Sequence, residues 1–468
     1  MIDAPFLYGA DKRALFPEAV LLNAIVEKAP GQISKQLAIL ARPGLDLFVE
    51  EVGDGRVRGA AQAAGLFDSD TLEVVGTQLW RIKPNGSSVL VPGTVAGDQD
   101  VRIAIGLNAD LESVVRIATG DGFFVYTDGG ADIAQDVDWT TATEIAGATD
   151  VIYHRNDFIA SATGTDKVYF LLPAEAWAPL QFASAERSAD NLVGLSSVGE
   201  VVWLHGTETN EGWVKTGQTD PPYEPYGGLN FDYGCLARGS IVSSVGAGFF
   251  IDKTSSVRMT AGGEPQLIST NGICEQISAA SPNDITAWMF TMQQHTYYVL
   301  NLAGAATWVY DLANQAWSRW ETAGRTYWRP FFGVTSGSVV LAFDHESTTI
   351  WRLNPDTADD QGEPFSCELM ARVENPDGVA PCDNIELEMH TGTAPRAGYG
   401  SDPEIQMRYW DDRRGAWSCW RSRPAGQTGK AVRPRWNALG DFDRFRIFHW
   451  RVNAPIGRRF TAARMNVA

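Results

Sequence analysis

The chain has 468 residues, a net charge of −19, 44% apolar residues, 46 glycines and 16 tryptophans. That length exceeds one ordinary core, the Gly and Trp content favours short strands and tight turns over long helices, and no run of 18 apolar residues offers a membrane-spanning helix. The charge is split: residues 396–468 carry 15 Lys/Arg against 6 Asp/Glu, a balance of +9, which leaves 23 basic and 51 acidic residues, −28, in the first 395. An acidic body followed by a basic segment predicts two surfaces with different partners.

Residues 1–44 read as an N-terminal arm. Met1–Gly9 has no cationic region before an apolar run and predicts no secretory signal. Phe16–Lys28, bounded by Pro17 and Pro30, fits either a helix or an extended arm touching a neighbouring subunit.

From residue 45 a hairpin recurs: an apolar strand, a short turn centred on Gly or Asn, then an aromatic-rich strand. It appears at Leu72–Ile82, Val115–Tyr126, Val151–Ser161, Leu195–His205, Ile241–Asp252, Phe290–Leu300 and Gly333–Phe343. Turn centres near residues 76, 121, 156, 199, 247, 294 and 337 recur about every 43.5 residues, within the roughly 40–50 of a propeller blade. Further short runs such as Val168–Leu172, Gly212–Lys215, Thr307–Leu312 and Thr349–Leu353 bring each unit to three or four strands. Packing such sheets radially buries both faces and leaves short edges. The pattern predicts an all-β chain with a β-propeller of about seven blades over 45–355, Leu45–Val52 supplying a closing strand. A pair of β-sandwiches is the competing architecture.

Residues 356–364 read as a linker. Beyond it, Cys367–Val373, Ile385–His390, Ile405–Tyr409 and Phe445–Val452 predict a separate, small sandwich-like β-domain over 365–468.

Catalytic and metal signatures are missing from the sequence. The five cysteines (235, 274, 367, 382, 419) are scattered and read as free thiols, and the six histidines show no zinc spacing. Asp128–Asp138 lacks the order of ligands of a calcium loop, and Gly194–Gly199 lacks the spacing of a nucleophile elbow. Tyr409–Trp420 resembles the structural Asp-turn of sialidase-like propellers, without a placeable arginine triad or tyrosine nucleophile. These readings predict no enzyme, no cofactor and no metal. Arginines alternate with aromatics over Arg433–Arg451, as in a half-buried strand with its arginines outward. Arg433, Arg435, Arg444, Arg446, Arg451, Arg458 and Arg459 are the candidate partner-interface residues. Nucleic-acid binding by 363–468 is the competing use of the same charges.

Three stretches resemble the packaged-DNA stabilisation proteins, or tail hub proteins (tail accessory factors), of short-tailed bacteriophages. They are Asn23–Leu45 (NAIVEKAPGQISKQLAILARPGL), His205–Gly217 (HGTETNEGWVKTG) and Gly263–Ile277 (GEPQLISTNGICEQI). His205 stands where Phe is usual, Asn210 where Ile or Val is usual, and Cys274 in place of a small residue. The resemblance implies a structural virion protein of the tail, made in the host cytoplasm, forming a hexameric ring below the portal and its adaptor. Such a ring retains packaged DNA, continues the ejection channel, and docks tailspikes or fibres and a needle or plug. An acidic lumen would repel DNA within about 8 Å at physiological salt. The alternative of another class is a carbohydrate- or receptor-binding propeller of the virion.

Overall fold

The computed structural model describes residues 2–7, 21–28, 37–173, 175–184, 190–375, 378–398 and 400–466. Seven antiparallel sheets follow one another along the chain, each built innermost strand first. Blades 1–6 have four strands each and begin at Val57–Ala61, Arg102–Leu107, Ala148–His154, Leu192–Val198, Val242–Ser243 and Ile285–Met292. Blade 7 begins at Pro330–Ser336. Each innermost strand touches the next, and that of blade 7 touches that of blade 1, so the ring closes.

Closure uses both ends of the repeat. Gly44–Val49, expected from the sequence as Leu45–Val52, is the fourth strand of blade 7 and runs antiparallel to Ile350–Asn354. Asp359–Asp360 and Glu363–Pro364, within the segment expected to be a linker, extend this sheet to six strands. Linker composition did not prevent pairing because Asp360 has a cation to meet there, Arg42.

The recurring hairpin is not the same hairpin throughout. In blades 1 and 2 it joins the second and third strands, whereas from blade 3 onward it joins the first and second. The shift explains why the interval from residue 121 to 156 is short. Blade 6 turns through Gln293 and Gln294, both at positive φ (50° and 68°), and blade 3 through Arg155 and Asn156 (50° and 71°). Paired left-handed residues make the tight turn whose twist matches the flanking strands. Gly76, Gly199 and Gly337 serve the first position of equivalent turns without a side-chain penalty.

Apolar clusters fill the spaces between blades. Phe123, Trp139 and Trp177 lie between blades 2 and 3, with Trp139 on the short helix Val137–Thr143. Trp288, Trp320 and Trp328 lie between blades 6 and 7. The space between blades 4 and 5 is the poorest in apolar groups, with Cys235, Ile241 and Phe250 as its buried centre. Polar side chains complete it.

Two six-stranded sheets form the second unit. One contains Cys367–Glu374, Phe445–Val452 and Glu404–Asp411; the other contains Asn384–Met389 and Arg459–Asn466. They face each other over one core that includes Leu369, Met407, Phe448, Trp450, Ile385 and Phe460. The N-terminal residues join this sandwich. Ile2–Asp3 pairs with Arg464 and Met465, Phe6–Leu7 with Met370 and Ala371, and Leu37–Ala41 with Arg459 and Phe460. Of the stretch 16–28, residues 16–20 lie outside the described residues, and Ala24–Lys28 is a strand.

Candidate interaction surfaces

Where the sandwich meets the ring, buried polar groups converge. Asn23, at φ 51°, donates from its amide nitrogen to the Ser366 carbonyl and accepts at Oδ1 from Arg42 Nε and the Glu321 amide. Arg42 is fully buried and grips Asp360 with both terminal nitrogens, at 2.9 and 2.7 Å. Its guanidinium lies 3.7 Å over the Phe365 ring, and Arg458 approaches the same ring at 4.9 Å. A Cβ on Gly44 would stand 2.2 Å from the Asp359 carbonyl, so only glycine fits the turn into the closing strand. The described residues of the first resembling stretch therefore tie three segments together. His295 adds a tie between Asp311 of blade 6 (2.9 Å) and Glu27 (3.0 Å).

The other two stretches are also built into the scaffold. His205 is buried between blades 4 and 5, with Nδ1 2.7 Å from Asn210 Oδ1 and Nε2 2.8 Å from Ser196 Oγ. Asn210 donates from its amide nitrogen to the Gly234 carbonyl, which turns its oxygen to the ring. Nδ1 thus donates and Nε2 accepts, and burial holds the neutral imidazole's pKa down at about 4. In the third stretch, Ile273 and Ile277 of the helix Asn271–Ala279 seal the gap between blades 5 and 6. Trp308 Nε1 donates to Gln276 and Trp317 Nε1 to the Ile268 carbonyl.

The interface candidates separate into two kinds. Arg433, Arg435 and Arg459 are exposed, and Arg444 has 84% of its side chain exposed. Arg451 is half-buried, donating to Gln406 and lying 4.4 Å over the Trp420 ring. Arg446 and Arg458 are corrections, because both are buried and bonded within the chain. Arg446 pairs with Asp411 at 2.7 Å, donates to the carbonyls of Leu439, Gly440 and Asp441, and lies over Tyr409. Arg458 donates to the carbonyls of Phe365 and Ala454. The strand's parity is the reverse of the expected one: Arg446 shares the core face with Phe448 and Trp450, while Phe445 and Ile447 lie on the other face. The candidates also divide between sheets, Arg451 on one with Arg444 just before its strand, Arg435 and Arg459 on the other.

That outer face carries a layer the sequence did not single out. Met370, Phe445 and Ile447 form a small apolar patch beneath Trp410 and Trp417. Arg408 spans Trp417 (4.5 Å) and Trp420 (4.6 Å), and donates from Nε to His449 Nδ1. The other ring nitrogen of His449 lies 2.7 Å from Glu368, while Arg372 covers Phe445 at 4.5 Å. The usable signal was the pair Trp417 and Trp420 after the Asp411–Gly415 turn, with Arg408 on the strand that leads into it. That turn is structural, Asp411 Oδ1 accepting from the Arg413 amide.

Chemistry elsewhere is sparse. Among the described residues, no group of three His, Cys, Asp or Glu is arranged to hold a metal. In the acidic stretch 128–138, Asp128 pairs with Arg81, and Asp136 caps the helix while pairing with Arg116 and Trp177. A cavity of about 760 Å³ runs along the propeller axis, lined by the innermost strands and by Arg56, Arg102 and Arg238.

Comparison with known proteins places the chain among phage proteins. A family model described as Phage_stabilise, Bacteriophage P22 Gp10, beta-propeller, matches residues 2–358. No curated protein matches. Similar solved structures include virginiamycin B lyase from Staphylococcus aureus (10% identity, 64% of this chain, 96% of that one, TM-score 0.45). The computationally designed Ika8 protein is 14% identical over 72% of this chain and 99% of its own, with a TM-score of 0.41. The Cps50 (Swd1) propeller domain of Myceliophteria thermophila is 7% identical over 66% and 100%, with a TM-score of 0.43.

Proposed function

The chain belongs to the phage stabilisation family represented by the β-propeller of bacteriophage P22 Gp10, and from that premise we propose that it is a hub of the phage tail. A structural, DNA-stabilising phage protein is what the family supports. The finer reading sets copies of the chain in a ring, hexameric in the resemblance, below the portal and its adaptor in the virion tail. The ring continues the ejection channel, holds packaged DNA without reading its sequence, and offers docking faces to spikes or fibres and to a needle. Its role is to hold and guide, without catalysis.

One observation carries this reading: the second unit is a sandwich whose periphery presents cations that the chain itself leaves exposed, beside an acidic body. Arg433, Arg435 and Arg459 are exposed, Arg444 is exposed beside Asp412 at 3.9 Å, and Arg451 and Arg408 lie on tryptophans. Exposed arginine beside aromatic rings is the composition of protein interfaces. The residues that resemble the family build scaffold rather than a pocket, which fits assembly better than turnover. Size-exclusion chromatography with light scattering tests it: the chain mixed with an adaptor protein should elute as a defined assembly. A monomer in the adaptor's presence contradicts it.

A further inference from the structure

The axial cavity contains a charge arrangement that the family role does not use. Arg102, on the innermost strand of blade 2, reaches across the axis and donates to the Arg238 carbonyl. Arg238, on the one-turn helix Arg238–Ser240 between blades 4 and 5, returns across it to the carbonyls of Ala118 (3.2 Å) and Asp100 (3.4 Å). Among the described residues no carboxylate stands within ion-pair distance of Arg238. The nearest carboxylate to Arg102 is Asp150, at 3.9 Å, and its two oxygens already accept from the amides of Val151 and Leu195. Asp100 is engaged by Arg56 at 2.7 Å. Burial and the neighbouring Arg102 hold the Arg238 guanidinium down at about 10, so its charge is incompletely compensated.

We propose that the axial cavity binds a small oxyanion of the phosphate class between the guanidiniums of Arg102 and Arg238. A guanidinium offers paired donors that match phosphate oxygens, and two approaching from opposite walls enclose the anion. At about 760 Å³ the cavity exceeds a bare phosphate and lies in the range of small-molecule sites. Its far wall is aromatic: Trp288, Phe331 and Phe332 line it, and the indole N–H of Trp288 is buried without an acceptor. The site therefore takes inorganic phosphate, or a phosphate monoester whose organic part lies against these rings. Either ligand braces blade 2 against the connection between blades 4 and 5, across the ring and next to its most polar seam. This site is independent of the tail-hub reading.

Isothermal titration of the full chain with sodium phosphate and with a nucleoside monophosphate, at matched ionic strength, tests the proposal. Saturable binding is expected. Tighter binding of the monoester assigns the aromatic wall to the ligand, and equal binding assigns the site to the anion alone. Arg102→Gln should weaken binding about tenfold or more, as loss of a charge-assisted fork does, while Arg352→Gln, on the exposed surface of blade 7, should leave it unchanged. Should Arg102→Gln fail to fold, the wild-type chain must still melt at higher temperature in phosphate than in chloride of equal ionic strength. No saturable binding of either ligand, no phosphate-specific rise in melting temperature, or unaltered binding by folded Arg102→Gln would overturn the site.

Discussion

In the propeller each apolar cluster serves two neighbouring sheets, so Phe123, Trp139 and Trp177 hold blades 2 and 3, whereas in the sandwich one core runs from Phe6 to Met465. The propeller's seams are therefore unequal. Between blades 4 and 5 much of the contact is a polar network around His205, and between blades 7 and 1 the fully buried Glu73 has neither carboxylate oxygen bonded. The sandwich pairs its buried Arg446 with Asp411, binds the buried Arg458 to backbone carbonyls, and leaves Arg433, Arg435, Arg444 and Arg459 at its surface. Closing a ring tolerates a weak seam because the others hold it, while the single core supplies acceptors to each of its buried guanidiniums.

That contrast is sharpest at Arg446. Replacing it with Met leaves Asp411 buried alone, at a cost of about 3–5 kcal/mol. Hydrogen exchange should show the opening in peptides of residues 365–466 and leave the blades protected; loss of protection throughout would mean that the two units unfold as one.

A smaller effect is expected in the ring. His205→Ala leaves Ser196 and the Asn210 oxygen without their partner, worth about 1–3 kcal/mol in denaturant titration. Its pH dependence has a definite sign. The folded pKa of His205 lies near 4, below its unfolded value, so its contribution is complete above about 6.5 and is lost as pH falls towards 4. The acid sensitivity between those values should diminish in the variant. Glu73 acts in the opposite sense. Burial raises its pKa well above the ordinary carboxylate range, so its contribution is complete below about 4.5 and declines as pH rises. Glu73→Gln should stabilise the chain at neutral pH relative to pH 4.5, which paired melting curves would reveal.

The smallest stability change is predicted at the sandwich surface. Arg444, 3.9 Å from Asp412 and mostly exposed, should give less than about 0.5 kcal/mol on substitution with Gln.

Elements whose signal is local were legible in the sequence. Every one of the seven hairpins announces itself by alternation on either side of a short turn, and the closing strand could be placed because the last blade lacked one. The shift of hairpin position after blade 2 was hidden, since the first strands of blades 1 and 2, Val57–Ala61 and Arg102–Leu107, carry polar or small residues that dilute their pattern. The pairing of Ile2–Asp3 with Arg464 and Met465 spans nearly the whole chain, and no local signal encodes it. The parity of Arg446 misled for a physical reason: Phe445 and Ile447 are buried on the outer face by Trp410, so both faces of the strand look apolar. The cross-axis pair Arg102 and Arg238 depends on ring closure and has no sequence signature.

The central claim is that the exposed cations of the sandwich, unlike the buried ones, exist to meet another chain. Light scattering of the chain mixed with an adaptor protein, comparing wild type with a variant carrying Gln at positions 433, 435, 444 and 459, tests it most directly. The account predicts an assembly for the wild type and its loss in the variant, with the two melting curves superimposed. A variant that assembles like the wild type would contradict it.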